Sequence, residues 1–189
     1  NDTFTGDAGN NRIYGRPGDD TIDGGDGDDQ LYGGTDNDTL HGGIGEDRLA
    51  GEAGDDILHG GDDNDYLHGG SNNDELYGGA GDDELIGSLG NDTLTGGLGA
   101  DILFGGDDSD IFNYTAMEES FAASRDKIQD FEKGTDMISL AEMGIVSFDD
   151  IEITHEDGNT IVSTASNDND FEIELEGLIN LDSDDFSFG

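Results

Sequence analysis

The chain contains no cysteine and no tryptophan, one proline (Pro17), and only 6 basic residues against 48 acidic ones among 189. Without cysteine it forms neither disulfides nor thiolate metal sites. A single proline excludes a collagen-like rod. The formal net charge of −42 disfavours nucleic acid and anionic membranes as partners by sign alone. No apolar run is long enough to span a membrane as a helix, and no basic-plus-apolar leader opens the chain. The four histidines include no H-E-x-x-H pair, because His155-Glu156 is followed by Asp157-Gly158 with no second histidine. There is no phosphate loop, nucleophile motif or twelve-residue EF-hand loop. We therefore expect any catalytic part to lie N-terminal to this chain. An apolar fraction of 31% with so much charge of one sign would ordinarily describe a disordered polymer.

Periodicity overturns that description. From Gly6 to Asn113 a nine-residue phrase repeats twelve times without a gap, as in Gly24-Gly25-Asp26-Gly27-Asp28-Asp29-Gln30-Leu31-Tyr32. Slot one is glycine in every copy, from Gly6 to Gly105, and slot eight is always large and apolar, from Ile13 and Ile22 through the leucines to Phe112. Slot six is Asp20, Asp29, Asp38, Asp47, Asp56, Asp65, Asp74, Asp83, Asp92, Asp101 and Asp110, with Asn11 the one departure. Glycine concentrates in slots one, two and four, which predicts turns with positive φ there. Slots seven to nine predict a three-residue strand with its middle side chain turned inward. One such unit cannot bury its apolar residue alone, whereas stacked units can.

Two units then make one coil of eighteen residues with a strand on each side. Slot eight fills the core between two sheets, and each slot-six aspartate lies about one strand spacing, roughly 4.8 Å, from its counterpart in the next coil. Carboxylates about 5 Å apart repel by roughly 0.8 kcal/mol in water and several-fold more where water is excluded. Something cationic must belong to the folded state. Paired aspartates and the carbonyls of the glycine turns offer the six to eight hard oxygens that Ca²⁺ takes, and no thiolate or imidazole occupies these slots. One column of sites runs Asp20, Asp38, Asp56, Asp74, Asp92, Asp110. The other runs Asp29, Asp47, Asp65, Asp83, Asp101. They define five sites and four, nine Ca²⁺ ions, with glycine ligands at Gly24, Gly33, Gly42, Gly51, Gly60, Gly69, Gly78, Gly87 and Gly96. Asn11–Asp29 and Asp2–Asp20 are weaker candidates for further ions.

The phrase resembles the repeats-in-toxin (RTX) nonapeptide G-G-x-G-x-D-x-U-x over residues 1–113. The resemblance implies an all-β fold, a right-handed parallel β-roll, with calcium between the turns of successive coils. Asn1-Asp2-Thr3-Phe4-Thr5 matches slots five to nine, so the chain opens inside a copy and we expect it to be a piece of a longer protein.

After about Tyr114 the period stops, and we expect residues 114–189 to form a small β-rich cap on the roll. Thr115 to about Ser124 has capping-box spacing for a short helix. Strands are predicted over Lys127–Phe131, Met137–Leu140, Ile151–Thr154, Thr160–Ser163 and Phe171–Leu175, with a turn at Glu132–Thr135 and a helical turn from Ser139. Asp126-Lys127-Ile128-Gln129-Asp130-Phe131, followed by Gly134, Asp136 and Leu140, resembles the C-terminal region of serralysin-type proteases and mannuronan epimerase modules. That resemblance implies an extracellular protein exported by a type I secretion apparatus. Asp126, Asp130 and Asp136 are either ligands of a terminal calcium or ordinary turn residues.

The outer columns leave two readings open. Tyr14 and Tyr32, with Arg12, Gln30 and Arg48 beside them, suit either a plain pleated surface or a face for polysaccharide, which would make the chain a carbohydrate-binding or adhesin module. His41 and His59, eighteen residues apart, are expected to stack, either as surface residues or as a bridge for a transition metal. Ile57 and Glu75 interrupt the threonine column of Thr21, Thr39 and Thr93, which argues against an ice-binding face.

Overall fold

The computed structural model describes residues 1–116, 120, 124–164 and 171–189. It is a parallel β-roll. After β1 (Thr3–Thr5), eleven six-residue strands follow at nine-residue intervals, from β2 (Arg12–Pro17) and β3 (Thr21–Asp26) to β12 (Ile102–Asp107); β13 (Ile111–Asn113) closes the series. Alternate strands pair in parallel, and every partner is eighteen residues away: Thr21 with Thr39, Leu40 with Leu58, Leu49 with Leu67. Two sheets result, one from the odd-numbered strands and one from the even-numbered strands.

The strands are twice the predicted length. Each continues from slots seven to nine through slots one to three of the next copy, because the double glycine bends the chain without breaking its ladder. Slot four is the turn proper: its φ is positive from Gly18 to Asp108, including the non-glycine residues Asp36, Asp63, Asn72 and Asp108. Slot two is also left-handed, even at Arg16, Glu52 and Ser88. Slot one is not, so its glycine answers to a different requirement.

Slot eight forms the core. Ile22, the nine leucines from Leu31 to Leu103, and Phe112 are all at most 1% exposed. Each such side chain contributes about 1.5–3 kcal/mol by leaving water. In a chain with few apolar residues, these two columns supply most of the roll's cohesion.

The tail joins the same two sheets. β14 (Asp126–Ile128) pairs in parallel with β12, and β15 (Met137–Ser139) pairs in parallel with β13. β16 (Ile151–Glu156) and β17 (Asn159–Thr164) form the expected hairpin, which packs through β18 (Glu172–Leu175) onto β14. A final strand, β19 (Phe186–Ser187), extends the odd sheet beyond β15. The helical turn appears as a 3-10 turn over Ala141–Met143. Most of the helix predicted between Thr115 and Ser124 lies outside the described residues.

Candidate calcium sites

Slots six, eight and one sit two residues apart on nearly extended backbone, so aspartate, leucine and glycine share the inward side. The slot-six aspartates are accordingly buried, none more than 4% exposed. Each backbone N–H donates to the Oδ1 of the aspartate eighteen residues on: Asp20 to Asp38 at 2.7 Å, Asp56 to Asp74 at 2.8 Å, Asp92 to Asp110 at 2.9 Å, and so along both columns. The second oxygen is left over. Oδ2 of Asp20, Asp29, Asp38, Asp47, Asp56, Asp65, Asp74, Asp83, Asp92 and Asp110 is buried and accepts no hydrogen bond among the described residues.

What faces that oxygen explains slot one. A Cβ added to Gly15 would meet Asp20 Oδ2 at 2.7 Å and the carbonyl oxygen of Gly33 at 2.6 Å; one added to Gly33 would meet Asp38 Oδ2 at 2.5 Å and the Gly51 carbonyl at 2.9 Å. The missing side chain keeps a cradle open between an unpartnered carboxylate oxygen and a carbonyl of the next coil. The same pairing recurs for Asp29 with Gly42, Asp47 with Gly60, Asp56 with Gly69, Asp65 with Gly78, Asp83 with Gly96, and Asp92 with Gly105. Gly105 escaped the sequence reading. The Gly24 carbonyl faces Asn11 instead, whose amide turns back on its own loop, donating to the Gly9 carbonyl and accepting from Asp7 N–H.

The electrostatics of these carboxyls are those of charge in want of a counter-ion. Burial, reinforced by the negative charge of neighbouring acids, outweighs the stabilising backbone N–H. It pushes Asp65 and Asp74 up to about 8, Asp110 to about 7, and Asp38, Asp47, Asp56, Asp83 and Asp92 to about 6. Among the described residues no three His, Asp or Glu side chains converge on one point. A cation here would be held by aspartates in pairs together with backbone carbonyls, an all-oxygen donor set that fits Ca²⁺ and suits softer metals poorly.

A second ladder went unread in the sequence. Slot five accepts N–H from slot five of the following coil: Asp55 donates to Asn37 Oδ1 at 3.1 Å, Asn73 to Asp55 at 3.1 Å, Asn91 to Asn73 at 2.8 Å, and Asp82 to Asn64 at 2.9 Å. Its direction is opposite to that of slot six. The available signal was that nine of the twelve slot-five residues are Asp or Asn; the mixture of charged and neutral types hid it.

The tail ends the slot-six ladder. Asp101 N–H donates to Asp126 Oδ1 at 3.0 Å and Asp110 N–H to Asp136 Oδ1 at 3.1 Å. Asp136 Oδ2 accepts from Glu132 N–H at 2.8 Å, so this carboxylate, unlike the ten named above, is satisfied on both oxygens. Asp130 accepts from Gly105 and Gly106 N–H, both at 3.0 Å, filling in where the short β14 offers no strand partner. Elsewhere, His41 and His59 stack as expected, with centroids 4.8 Å apart, and Tyr77 continues the stack.

Comparison with known families agrees with this geometry. The RTX calcium-binding nonapeptide repeat (4 copies) matches residues 1–31, 23–58, 41–76 and 77–112, more than half of the chain. The chain belongs to this RTX repeat family. Such repeats bind Ca²⁺, so the RTX stretch here is a calcium-binding structural module. No match is found among curated proteins. Among solved structures, the chain is similar to the AlgE6R3 subunit of the mannuronan C5-epimerase from Azotobacter vinelandii, with TM-score 0.55 and 28% identity over 67% of this chain and 78% of that one. The AlgE6R2 subunit of the same epimerase gives TM-score 0.49 and 26% identity over 62% and 86%. Extracellular lipase LipA from Serratia marcescens gives 0.45 and 17% over 90% and 40%. No helix among the described residues is long and apolar enough to cross a membrane.

Proposed function

We propose that this chain is a calcium-triggered folding and type I secretion module of a larger extracellular bacterial protein, such as a protease, polysaccharide-modifying enzyme, toxin or adhesin, whose catalytic part, if it has one, lies N-terminal to this stretch. The observation that carries the reading is the row of ten buried, unpartnered Oδ2 atoms, each of which costs free energy until a cation meets it. In a low-calcium cytosol the roll's self-repulsion keeps the chain unfolded and exportable. Outside the cell, calcium binding becomes folding free energy. Nine ions are expected, five between the aspartates of one column and four between those of the other, with carbonyls of Gly33, Gly42, Gly51, Gly60, Gly69, Gly78, Gly87, Gly96 and Gly105 as further ligands. Residues 114–189 act as the cap: Asp126, Asp130 and Asp136 take the N–H groups that a further coil would otherwise take. Extracellular calcium sites typically bind at about 10⁻⁴–10⁻³ M, so a far-ultraviolet circular dichroism titration should show strand signal rising over millimolar Ca²⁺. A strand-rich spectrum in excess chelator at neutral pH would sink the reading.

A further inference from the structure

The outer face of β2, β4 (Gln30–Thr35), β6 (Arg48–Ala53) and β8 (Tyr66–Ser71) is out of character with the rest of this acidic chain. Its outward slots seven and nine carry no carboxylate, yet 48 of the 189 residues are acidic. They carry Arg12, Arg48, Tyr14, Tyr32 and Tyr66 instead. Tyr14 and Tyr32 stack with centroids 4.8 Å apart and planes 11° apart. The Arg12 guanidinium lies 5.4 and 5.3 Å from those two centroids and donates to the Tyr32 hydroxyl at 3.2 Å. Arg48 lies 5.6 Å from the Tyr66 centroid. Neither guanidinium forms an ion pair among the described residues; the side-chain cations that do are Arg125 and Lys133 in the tail.

Between the aromatic rings the face is notched. Ala50 falls where the column otherwise carries Tyr32 and His68, and its missing bulk leaves a cavity of 130 Å³ lined by Tyr32, Arg48, Leu49, Ala50 and Tyr66. That is well below the ~300–1,000 Å³ of a pocket enclosing a whole small ligand. It suits one ring of a polymer lying across the face. Arg12 and Arg48 stand two strand steps apart, about 9.6 Å, a span of two sugars in an extended chain. A guanidinium fork matches a carboxylate in two-point fashion, and flat aromatic rings match the C–H faces of a pyranose. A peptide adding as a strand would need a sheet edge; β2 is one, but the notch lies on β4, β6 and β8, interior strands paired on both sides.

We propose that this face binds an acidic polysaccharide, a chain of uronate sugars, with Arg12 and Arg48 taking carboxylates and Tyr32 and Tyr66 flanking one ring above Ala50. The positions involved are variable slots of the repeat, so the site belongs to this chain and not to the nonapeptide pattern. It rests on the roll being folded, and hence on the calcium reading above.

The test is isothermal titration of the full chain in millimolar calcium with a short oligogalacturonate, against a neutral dextran oligosaccharide of similar length. Strand content is recorded by circular dichroism on the same samples. Binding of the uronate oligomer alone is expected, weakened on the order of tenfold for each of Arg12→Gln and Arg48→Gln, as suits the loss of a charge-assisted hydrogen bond. Ala50→Phe, which fills the notch and keeps every charge, should also weaken it. His41→Ala on the opposite sheet should not. A folded wild type that fails to bind, or binds dextran equally well, overturns the proposal. So does an unchanged affinity in the arginine double variant, which would assign binding to calcium bridging between two acidic surfaces. Loss of the strand spectrum in calcium would strike the folding reading, and this site with it.

Discussion

Asp56→Asn separates calcium ligation from mere charge. Asp56 Oδ1 accepts from Asp38 N–H at 2.7 Å, its own N–H donates to Asp74 Oδ1 at 2.8 Å, and Oδ2 has no partner. The amide keeps the Oδ1 acceptor and the shape but puts an NH₂ where the ion-facing oxygen was. Asn11 shows how an amide settles there, bonded within its own loop. Because Asp56 serves the sites it shares with Asp38 and with Asp74, two ions should be lost from the proposed nine. For a site with Kd of about 10⁻⁴–10⁻³ M in about 10 mM free calcium, each ion stabilises the fold by about 1.4–2.7 kcal/mol, so the pair is worth about 3–5 kcal/mol. Asp55→Asn is the control. It removes the same charge one residue away, but its slot holds asparagine in other coils and the acceptor for Asn73 N–H at 3.1 Å survives. Bound calcium by equilibrium dialysis and thermal melting in calcium are the assays. Equal effects of the two substitutions, or an unchanged ion count in Asp56→Asn, would refute the reasoning.

Three other expectations follow from the same geometry. Gly51→Ala places a Cβ against Asp56 Oδ2 and 2.8 Å from the Gly69 carbonyl; it should cost at least the contribution of one ion, read as a higher calcium midpoint and one fewer ion bound. The aspartates pushed up to between about 6 and 8 give acid the role of a weak substitute for calcium. With folded pKa above the unfolded value, their contribution to the calcium-free roll is fully present below about pH 4 and is lost as pH rises through that window. Strand content in chelator should therefore increase from pH 8 to pH 5.5, and less added calcium should be needed to reach the same strand content at the lower pH; a strand content in chelator that does not change with pH would contradict the burial of these groups. Deleting residues 114–189 exposes Phe112 and removes the carboxylates of Asp126, Asp130 and Asp136 from the last coils, so the shortened chain should need clearly more calcium to fold. Equal midpoints would exclude the capping role.

Much of this molecule was legible because a nine-residue period constrains every slot twelve times over. The eighteen-residue register, the leucine columns and the aspartate columns follow from spacing and alternation alone. The glycines were harder. Sequence shows only that slot one tolerates no side chain, and the usual reason, a left-handed turn, holds at slots two and four but not there; the reason at slot one is the carboxylate and carbonyl on either side of the missing Cβ. Slot five was overlooked because its ladder needs only an acceptor oxygen, which aspartate and asparagine supply equally. In the tail, hairpin and turn residues announced β16 and β17. Nothing local announced that β14 and β15 would extend separate sheets of the roll, because that pairing is dictated by the last coil and not by their own side chains.

The opposed ladders of slots five and six fix the increments in which such a protein can change length. Removing or inserting eighteen residues rejoins like with like: every N–H meets an equivalent oxygen and the sheets keep their order. A nine-residue change also preserves the motif on paper, but it sends everything downstream to the opposite sheet. Tyr66 would leave the face of Tyr32 and Arg48, while β14 and β15 would keep β12 and β13 as partners but change sides relative to β1 and β2. Only whole-turn changes thus keep the decorated face and the C-terminal strands in their present relation.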